Sequence, residues 1–238
     1  MVLMSHFMAE FLGTALLILI GDSTIANVCL KKSKAFGGGW NVIALGWGFG
    51  LMIPIFIFGG ISGAHLNPAL TISLAVIGLF PWAEVPTYIV AQFLGAFVGA
   101  VLVWLEFLPH WAETEDKTTK LSVFCTQPAI RNTVANFISE IIATFILVFT
   151  VLAIMGNEAL GNFAPMLIGF VLMAIGMAMG GTTGYAINPA RDLAPRIAHL
   201  VLPIAGKGDS DFGYAWIPVV APIVGAIIAA LTYNTVFI

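Results

Sequence analysis

Charged residues are scarce in this chain, and their scarcity excludes most water-soluble folds. Of its 238 residues, 9% are Asp, Glu, Lys or Arg and 60% are hydrophobic, and the mean hydropathy is +1.01. A surface that faces water cannot be built from this composition. The formal net charge is only −3, and no cluster of basic residues forms a nucleic-acid footprint. We therefore predict that the chain lies mostly in a lipid bilayer and binds no nucleic acid.

Residues that serve catalysis or metal binding are also few. The chain has two cysteines and four histidines, and His6, His110 and His199 lack the spacing of metal ligands. No clustered nucleophile, metal-ligand set or carboxylate pair is visible, so we expect no catalytic residue, metal or cofactor, and no enzyme. Cys29 and Cys125 fall in or near two loops, and we interpret them as small apolar residues rather than as a disulfide.

Long hydrophobic runs are what the sequence has in abundance. A helix needs about 20 apolar residues to cross the roughly 30 Å hydrocarbon core of a bilayer. The first run contains Glu10 and lacks a basic N-terminal region, so we interpret it as a span and not as a cleaved signal peptide. The sequence predicts six spanning helices, at approximately 7–28, 40–60, 84–106, 133–155, 163–180 and 214–236. One membrane domain, residues 1–238, accounts for the chain.

The two halves of the chain repeat each other. Asn67-Pro68-Ala69 recurs as Asn188-Pro189-Ala190, and aligning the two copies also places Gly59, Gly60 and Gly63 on Gly180, Gly181 and Gly184. A second alignment places Glu10 on Glu140. These matches predict an internal repeat over approximately 1–110 and 130–238. Each copy holds an odd number of spans, so the second copy is predicted to be inverted in the membrane.

Each Asn-Pro-Ala opens an apolar segment that is too short to cross the bilayer. The two segments cover about 67–79 and 188–200. Asn is a good helix N-cap and Pro is favoured at the first helical position, so each segment is predicted to start a helix after the flexible glycine-rich stretches 59–63 and 180–184. A helix of about 11 residues is about 16 Å long, which is half a membrane. In an inverted repeat, the two half-helices meet near the centre.

Non-helical backbone at this depth survives only if it is buried in protein or lines a water-filled cavity. Its free carbonyls suggest a polar track through the membrane, and four residues are predicted to line it with their backbone: Gly63, Ala64, His65 and Gly184. Two helix N-termini contribute about half a positive charge each, which disfavours cations and protons. The side chains of Asn67 and Asn188 add donors for a passing hydroxyl or water. The alternative is that Asn-Pro only caps helices.

Glu10 and Glu140 are ionisable residues inside spans, at equivalent repeat positions. An unpaired charge there costs about 3 kcal/mol or more. We predict that both carboxylates accept hydrogen bonds from backbone N–H groups next to the half-helices and act as a scaffold. A proton relay is the alternative, which is disfavoured because each half supplies one acid and no Lys or His partner in a span.

Three segments together resemble the aquaporin superfamily, also called the major intrinsic proteins. They are Ala9–Thr14, Ser62–Ala69 and Gly184–Asp192, and the resemblance covers essentially the whole chain. It implies an all-α membrane fold, with six tilted helices and two half-helices in an inverted repeat. It also implies a pore in every protomer, a homotetramer and cytoplasmic termini. All nine Lys and Arg follow spans one, three and five, which by the positive-inside rule would place those segments in the cytoplasm instead.

The resemblance further implies a narrow selectivity filter formed by Trp47, Gly176, Tyr185 and Arg191. Arg191 offers five donors and repels cations, the two aromatic rings supply apolar walls, and Gly176 supplies space. The resemblance also implies that water-selective members of the superfamily have a His at the position of Gly176. The glycine therefore favours a wider pore, as in the glycerol-conducting branch. Tyr185 departs from the Phe that is typical of glycerol facilitators and makes the filter more polar.

The sequence thus predicts a passive channel for small uncharged solutes. The expected solutes are glycerol and similar polyols, water, and lactic acid in its protonated form. Asp192, which follows the filter arginine, also resembles the glycerol-conducting branch, and it is predicted to pair with Arg196 or a loop Lys. The alternatives are a secondary active transporter, which is also built from inverted repeats and broken helices, and a channel mainly selective for water.

Overall fold

A computed structural model describes residues 4–237, which form a helical bundle. Six helices in this range are long and apolar enough to cross a membrane. The predicted six spans are confirmed, with bounds that differ by three residues or fewer. In chain order the helices are α1 (His6–Cys29), α2 (Trp40–Ser62), α3 (Pro68–Val76), α4 (Val85–Glu106), α5 (His110–Glu113), α6 (Lys117–Phe124), α7 (Thr133–Met155), α8 (Ala164–Thr183), α9 (Pro189–Val201) and α10 (Ile217–Phe237).

The two short apolar segments form helices α3 and α9. They have 9 and 13 residues, so they are about 14 and 20 Å long at 1.5 Å per residue. Asn67 caps α3 by accepting a hydrogen bond from the N–H of Ala69. Asn188 caps α9 in the same way, from the N–H groups of Ala190 and Arg191. The predicted Asn cap and first-turn proline are therefore confirmed at both helices.

The glycine-rich stretches are shorter breaks than predicted. Helix α2 continues to Ser62 and α8 to Thr183, and each ends at a glycine in the left-handed region, Gly63 (φ 82°) and Gly184 (φ 85°). The expectation of flexible backbone from 59 and from 180 onward is wrong. At membrane depth, the intrahelical hydrogen bonds of these residues outweigh the weak helix propensity of glycine, which costs only about 1 kcal/mol per residue.

Glycines bring the spans into close contact in the same way in both halves. A Cβ on Gly95 of α4 would lie 2.2 Å from the carbonyl oxygen of Phe11 on α1. A Cβ on Gly225 of α10 would lie 2.5 Å from the carbonyl oxygen of Ile141 on α7. Both pairs occupy equivalent repeat positions. Because only glycine permits this approach, the crossings α1/α4 and α7/α10 are fixed by sequence.

Helices α2 and α8 cross in a reciprocal contact between the halves. A Cβ on Gly48 would lie 2.2 Å from Cγ of Met173, and a Cβ on Gly169 would lie 2.8 Å from Cβ of Met52. The two glycines are equivalent in the repeat, and so are the two methionines. Each helix therefore offers the same glycine to the same residue of the other, as a pseudo-two-fold relation requires.

Candidate functional site

Two short non-helical segments join the spans to the half-helices. We name residues 63–66 the first lead-in and residues 184–187 the second lead-in. In both, the second and fourth residues are held at positive φ although they are not glycine, which costs about 1–3 kcal/mol at each residue. These residues are Ala64 (φ 46°), Leu66 (φ 51°), Tyr185 (φ 42°) and Ile187 (φ 45°). Surrounding contacts must therefore hold both lead-ins in place.

Glu10 contacts the first lead-in with both carboxylate oxygens. Its Oε1 accepts hydrogen bonds from Ser62 Oγ at 2.6 Å and from the N–H of His65 at 2.9 Å. Its Oε2 accepts from the N–H of Leu66 and from Gln92 Nε2, each at 2.8 Å. The side chain is completely buried. Four donors therefore converge on one carboxylate, which is the arrangement that a scaffold needs.

Glu140 contacts the second lead-in in nearly the same way. Its Oε1 accepts hydrogen bonds from Thr183 Oγ1 at 2.6 Å and from the N–H of Ala186 at 3.0 Å. Its Oε2 accepts from the N–H of Ile187 at 2.9 Å. Glu140 thus has three donors where Glu10 has four.

The lead-ins leave a row of backbone acceptors free. The carbonyl groups of residues 63–65 and 184–186 accept no hydrogen bond from any residue within 4–237. The next carbonyl along each lead-in is used across the centre. Asn67 Nδ2 donates to the carbonyl of Ile187 at 2.9 Å, and Asn188 Nδ2 donates to the carbonyl of Leu66 at 2.8 Å. Each asparagine amide keeps a second N–H for another partner.

A cavity of about 760 Å³ contacts both lead-ins. Its walls include many apolar side chains of α2, α3, α7 and α8. The sequence-predicted residues that line it are Trp47, Gly63, Ala64, His65, Asn67, Tyr185, Asn188 and Arg191. A solute inside can therefore meet apolar side chains as well as carbonyl, amide and guanidinium groups.

Other predicted site residues lie outside the cavity lining. Gly184 is not among the lining residues, and a Cβ there would lie 3.1 Å from Thr126 Cβ. Its carbonyl accepts no hydrogen bond within residues 4–237, and that it lines the pore stays a prediction. The motif residues Pro68, Ala69, Pro189 and Ala190 are buried in the first turns of α3 and α9, where they hold the asparagine caps.

Arg191 and Trp47, two residues of the predicted filter, contact each other. The Arg191 Cζ atom lies 4.0 Å from the centroid of the Trp47 ring, which is a cation–π contact. Arg191 Nη1 also lies 3.3 Å from the carbonyl oxygen of Phe124 and 3.5 Å from Asp22 Oδ1. All side-chain hydrogen bonds from Arg191 to the described residues come from Nη1, so Nε and Nη2 keep their donors for a solute.

Tyr185 and Gly176 form a second contact among the predicted filter residues. A Cβ on Gly176 would lie 2.9 Å from both Cζ and the hydroxyl oxygen of Tyr185. The space that Gly176 supplies is therefore filled by the tyrosine ring, and Gly176 does not line the cavity. Trp40 packs edge-on against Tyr185 and donates from Nε1 to the Gly176 carbonyl at 2.7 Å. The Tyr185 hydroxyl is buried and has no partner among residues 4–237.

Asp22 is a residue that the sequence analysis overlooked. It lies in α1, is completely buried and forms an ion pair with Arg191. The expectation of one intramembrane acid in each half is therefore wrong, because the first half contributes Asp22 as well as Glu10. A signal was present in the sequence, since any acid inside an apolar span calls for a partner. The repeat gives no signal for Asp22, because the alignment that places Glu10 on Glu140 places Asp22 on the apolar residue Leu152.

Asp192 forms a buried ion pair with Arg196, one turn further along α9. Their closest N···O distance is 2.8 Å, and both side chains are completely buried. The second Asp192 oxygen accepts from the N–H and the hydroxyl of Thr126, at 2.7 and 2.6 Å. The predicted pairing of Asp192 with Arg196 is confirmed. It fixes the base of α9, which carries Arg191, to the loop before α7.

The chain is similar to known proteins along nearly its whole length. A probable glycerol uptake facilitator protein from Thermotoga maritima is 55% identical over 234 residues, which cover 98% of this chain and 100% of that protein. A D/L-lactic acid transporter from Lactiplantibacillus plantarum is 42% identical over 229 residues, which cover 94% of each chain. The X-ray structure of the aquaglyceroporin from Plasmodium falciparum superimposes with a TM-score of 0.86 at 32% identity, covering 97% of this chain and 95% of that one.

The family described as "Major intrinsic protein" matches residues 1–233. This match agrees with the six spans, the two capped half-helices and the two asparagines that donate to carbonyls across the centre. The chain is a multi-pass integral membrane protein, and it belongs to the major intrinsic protein family of channels.

Proposed function

We propose that this protein is a passive channel for glycerol and similar small polyols, which also passes water. The observation that carries the proposal is the single cavity that contacts Trp47, Tyr185, Arg191 and both asparagines. A polyol has carbons on one side and hydroxyl groups on the other. The cavity wall also combines the two kinds of group, since it contains apolar side chains together with free carbonyls and donors. The 55% identity to a probable glycerol uptake facilitator supports this choice of solute.

At the filter, the solute is selected by the pairing of donors with apolar walls. The Nε and Nη2 groups of Arg191 donate to the hydroxyl oxygens of the solute, while its carbons pass the rings of Trp47 and Tyr185. A solute without hydroxyls would leave these donors unpaired. A charged solute would lose its hydration shell in a constriction that cannot replace it.

At the centre, the free N–H groups of Asn67 and Asn188 receive the hydroxyl oxygen of the solute or of water. The positive ends of α3 and α9 converge there and oppose cations and protons. The free carbonyls of residues 63–65 and 184–186 provide the acceptors on either side. Glu10 and Glu140 hold this backbone in place in our proposal, and neither carries protons.

A secondary active transporter is the rival mechanism, and kinetics distinguish the two. Stopped-flow light scattering of proteoliposomes challenged in turn with sorbitol, glycerol, urea and lactic acid gives the solute range. A channel gives glycerol flux that rises linearly with concentration and ignores ion gradients. Saturation at modest concentration, or dependence on an ion gradient, contradicts the channel. Rapid water flux without glycerol flux identifies a water-selective channel instead.

We infer that lactic acid also passes, in its neutral form. The relative that is named a D/L-lactic acid transporter supports this extension. Lactic acid has a pKa near the roughly 3.9 of an Asp side chain, so about one molecule in a thousand is neutral at pH 7. Channel-dependent lactate uptake should therefore rise about tenfold for each unit that the external pH falls toward the pKa. Isotope uptake at pH 5, 6 and 7, corrected for empty liposomes, measures it, with glycerol flux as the flat control. Lactate uptake that ignores pH contradicts passage of the neutral form.

We propose a single domain built from two inverted repeats, approximately residues 1–110 and 130–238. The reciprocal contacts of Gly48 with Met173 and of Gly169 with Met52 support it, and so do the crossed bonds of the two asparagines. The family resemblance leads us to propose a homotetramer with a pore in each protomer. Native mass spectrometry of the detergent-solubilised protein tests the oligomer, and a monomer that conducts glycerol contradicts the need for it.

We propose that both termini lie in the cytoplasm, although the distribution of Lys and Arg suggests the reverse. The family resemblance carries more weight in this proposal than a sample of nine charges. Six of the nine basic side chains form a hydrogen bond or an ion pair within residues 4–237. They are Lys32, Lys120, Arg131, Arg191, Arg196 and Lys207. Lys207, for example, donates to three carbonyls at the end of α9, and burial lowers its pKa. Labelling of a cysteine introduced next to either terminus in intact cells tests the orientation.

A further inference from the structure

Asp22 lies next to the guanidinium of Arg191 and does not line the cavity. The Asp22 side chain has no exposure, and its Oδ1 is 3.5 Å from Arg191 Nη1. Its Oδ2 has no hydrogen-bond partner among the residues that the structure describes. A buried carboxylate with one unpaired oxygen is unfavourable, so packing alone does not account for an acid at this position of an apolar helix.

Gly21, the residue before Asp22, ties the same turn of α1 to the filter. A Cβ on Gly21 would lie 2.5 Å from two carbons of the Trp47 ring, so only glycine allows this ring to pack against α1. The same ring lies 4.0 Å from the Arg191 Cζ atom. Two consecutive residues of α1 therefore support the two filter side chains, Gly21 under Trp47 and Asp22 beside Arg191.

Each of the two buried arginines near the filter has an acidic partner. Asp192 forms an ion pair with Arg196 at 2.8 Å and accepts two hydrogen bonds from Thr126, so both of its oxygens already have partners other than Arg191. Asp22 is the remaining acid in contact with Arg191. Arg191 lines the cavity and Asp22 does not. A solute thus meets the guanidinium donors without touching the carboxylate that balances their charge.

We propose that Asp22 is a specificity-determining residue that neutralises the filter, so that Arg191 offers donors to neutral solutes without retaining small anions. The inference rests on the proposed channel function. Charges that are buried this deeply are only weakly screened by salt. Without its carboxylate, the guanidinium would attract a small anion into the constriction and hold it there, and neutral solutes would be obstructed. Asp22 acts through Arg191 and is a positioning residue in this sense.

The test is anion inhibition of flux through proteoliposomes. Asp22→Asn keeps the shape of the side chain and leaves the filter with one net positive charge. We expect the nitrate concentration that halves glycerol flux to be lower by about fivefold or more than for wild type, with gluconate as the non-entering anion. Glu106→Gln is the matched control, because Glu106 is an exposed acid of α4, and its anion sensitivity should equal that of wild type. A D22N channel that assembles and shows wild-type sensitivity overturns the proposal.

A charge-restoring variant separates electrostatics from structural damage. The double variant Asp22→Asn/Arg191→Gln is neutral again, so its anion sensitivity should return to the wild-type level, and retained sensitivity contradicts the proposal. Arg191→Gln alone leaves a net negative charge, and glycerol flux should become sensitive to small cations. This variant decides the matter if D22N does not assemble, because indifference to cations would overturn the proposal. Wild-type vesicles that pass no glycerol contradict the channel function itself, and anion sensitivity is then measured on water flux.

Discussion

The two lead-ins have nearly the same backbone but are held by different chemistry. The first lead-in is supported by neutral groups beside Glu10, because Gln92 donates to Glu10 and to Thr71. The second lead-in has no amide in the corresponding place, where α10 has Pro222. Beside it lies the ion pair of Asp192 and Arg196. One backbone shape is thus compatible with a neutral network and with an ionic one.

The difference follows from what each half carries. Thr71 and Asp192 occupy equivalent repeat positions, but only the second copy has an arginine just before, at the filter. Arg191 and Arg196 need buried acids, because an uncompensated charge inside the membrane is costly. The second half supplies Asp192 for Arg196, and the first half supplies Asp22 for Arg191. The first half buries no basic side chain beside its lead-in, so hydroxyl and amide groups suffice. Filter chemistry, and not backbone geometry, therefore makes the two halves diverge.

The largest effects are expected when leucine replaces each scaffold glutamate, and they should differ between the two halves. Glu10→Leu leaves four donors without an acceptor and Glu140→Leu leaves three, at about 1–3 kcal/mol for each donor. Both variants should lose glycerol flux, with the greater loss of stability for Glu10→Leu. Thermal unfolding in detergent measures the order.

The glutamine variants sharpen the same comparison. Glutamine keeps one acceptor oxygen and replaces the other with an NH2 group, which cannot accept a hydrogen bond. At Glu10 either oxygen accepts from two donors, so two donors lose their acceptor. At Glu140 an NH2 group in place of Oε2 affects only the N–H of Ile187. Glu140→Gln should therefore be the mildest of the four changes and Glu10→Gln the next. Glu10→Gln that is stable but conducts no solute would favour a proton relay over a scaffold.

The ionic network should be more sensitive to a single deletion than the neutral one. Asp192→Asn leaves Arg196 buried without a counter-charge, and we expect a loss of about 3–5 kcal/mol in the free energy of unfolding. Thr71→Val removes the hydroxyl at the equivalent repeat position and should cost about 1 kcal/mol. Unfolding midpoints of the two variants in the same detergent give the comparison. Equal losses would show that the ion pair adds nothing to a neutral network.

A side chain at position 176 tests the filter itself, to which the second half contributes three of the four predicted residues. Gly176→His should lower glycerol permeability by about tenfold or more, an added barrier of about 1.4 kcal/mol, because its Cβ displaces the Tyr185 ring toward the cavity. Water flux should fall less, since water needs less room. Gly181→Ala is the matched control on α8, where a Cβ would meet no atom within 4 Å. Equal loss of both fluxes in an assembled oligomer would mean that position 176 does not shape the constriction.

The smallest effect is expected from Tyr185→Phe. The hydroxyl is buried and finds no partner within residues 4–237, so its removal should leave stability unchanged or raise it by about 1 kcal/mol. Glycerol and water fluxes should stay near the wild-type values. A clear loss of stability would reveal a partner for the hydroxyl, such as a bound water.

Much of this fold could be predicted from the sequence because the membrane imposes long apolar helices. The repeat then located the half-helices, since the same capping chemistry appears twice. Helices α5 and α6 were not predicted, because they are short, partly polar and stabilised by contacts with the rest of the bundle. Asp22 was overlooked for the opposite reason, since it has no counterpart in the repeat. Interactions that pair distant segments once, without repetition, leave little trace in a single sequence.

The crossed bonds of Asn67 and Asn188 have a consequence for the biogenesis of the chain. Each amide donates to a carbonyl of the opposite half, so neither central loop is complete until both halves are in the membrane. The ribosome delivers the first half well before Asn188 is synthesised. During that interval, only Glu10 and its neighbours are available to hold Ala64 and Leu66 at the positive φ of the complete protein. We therefore expect the newly inserted amino-terminal half to remain open at its centre, and to close only when the second half arrives.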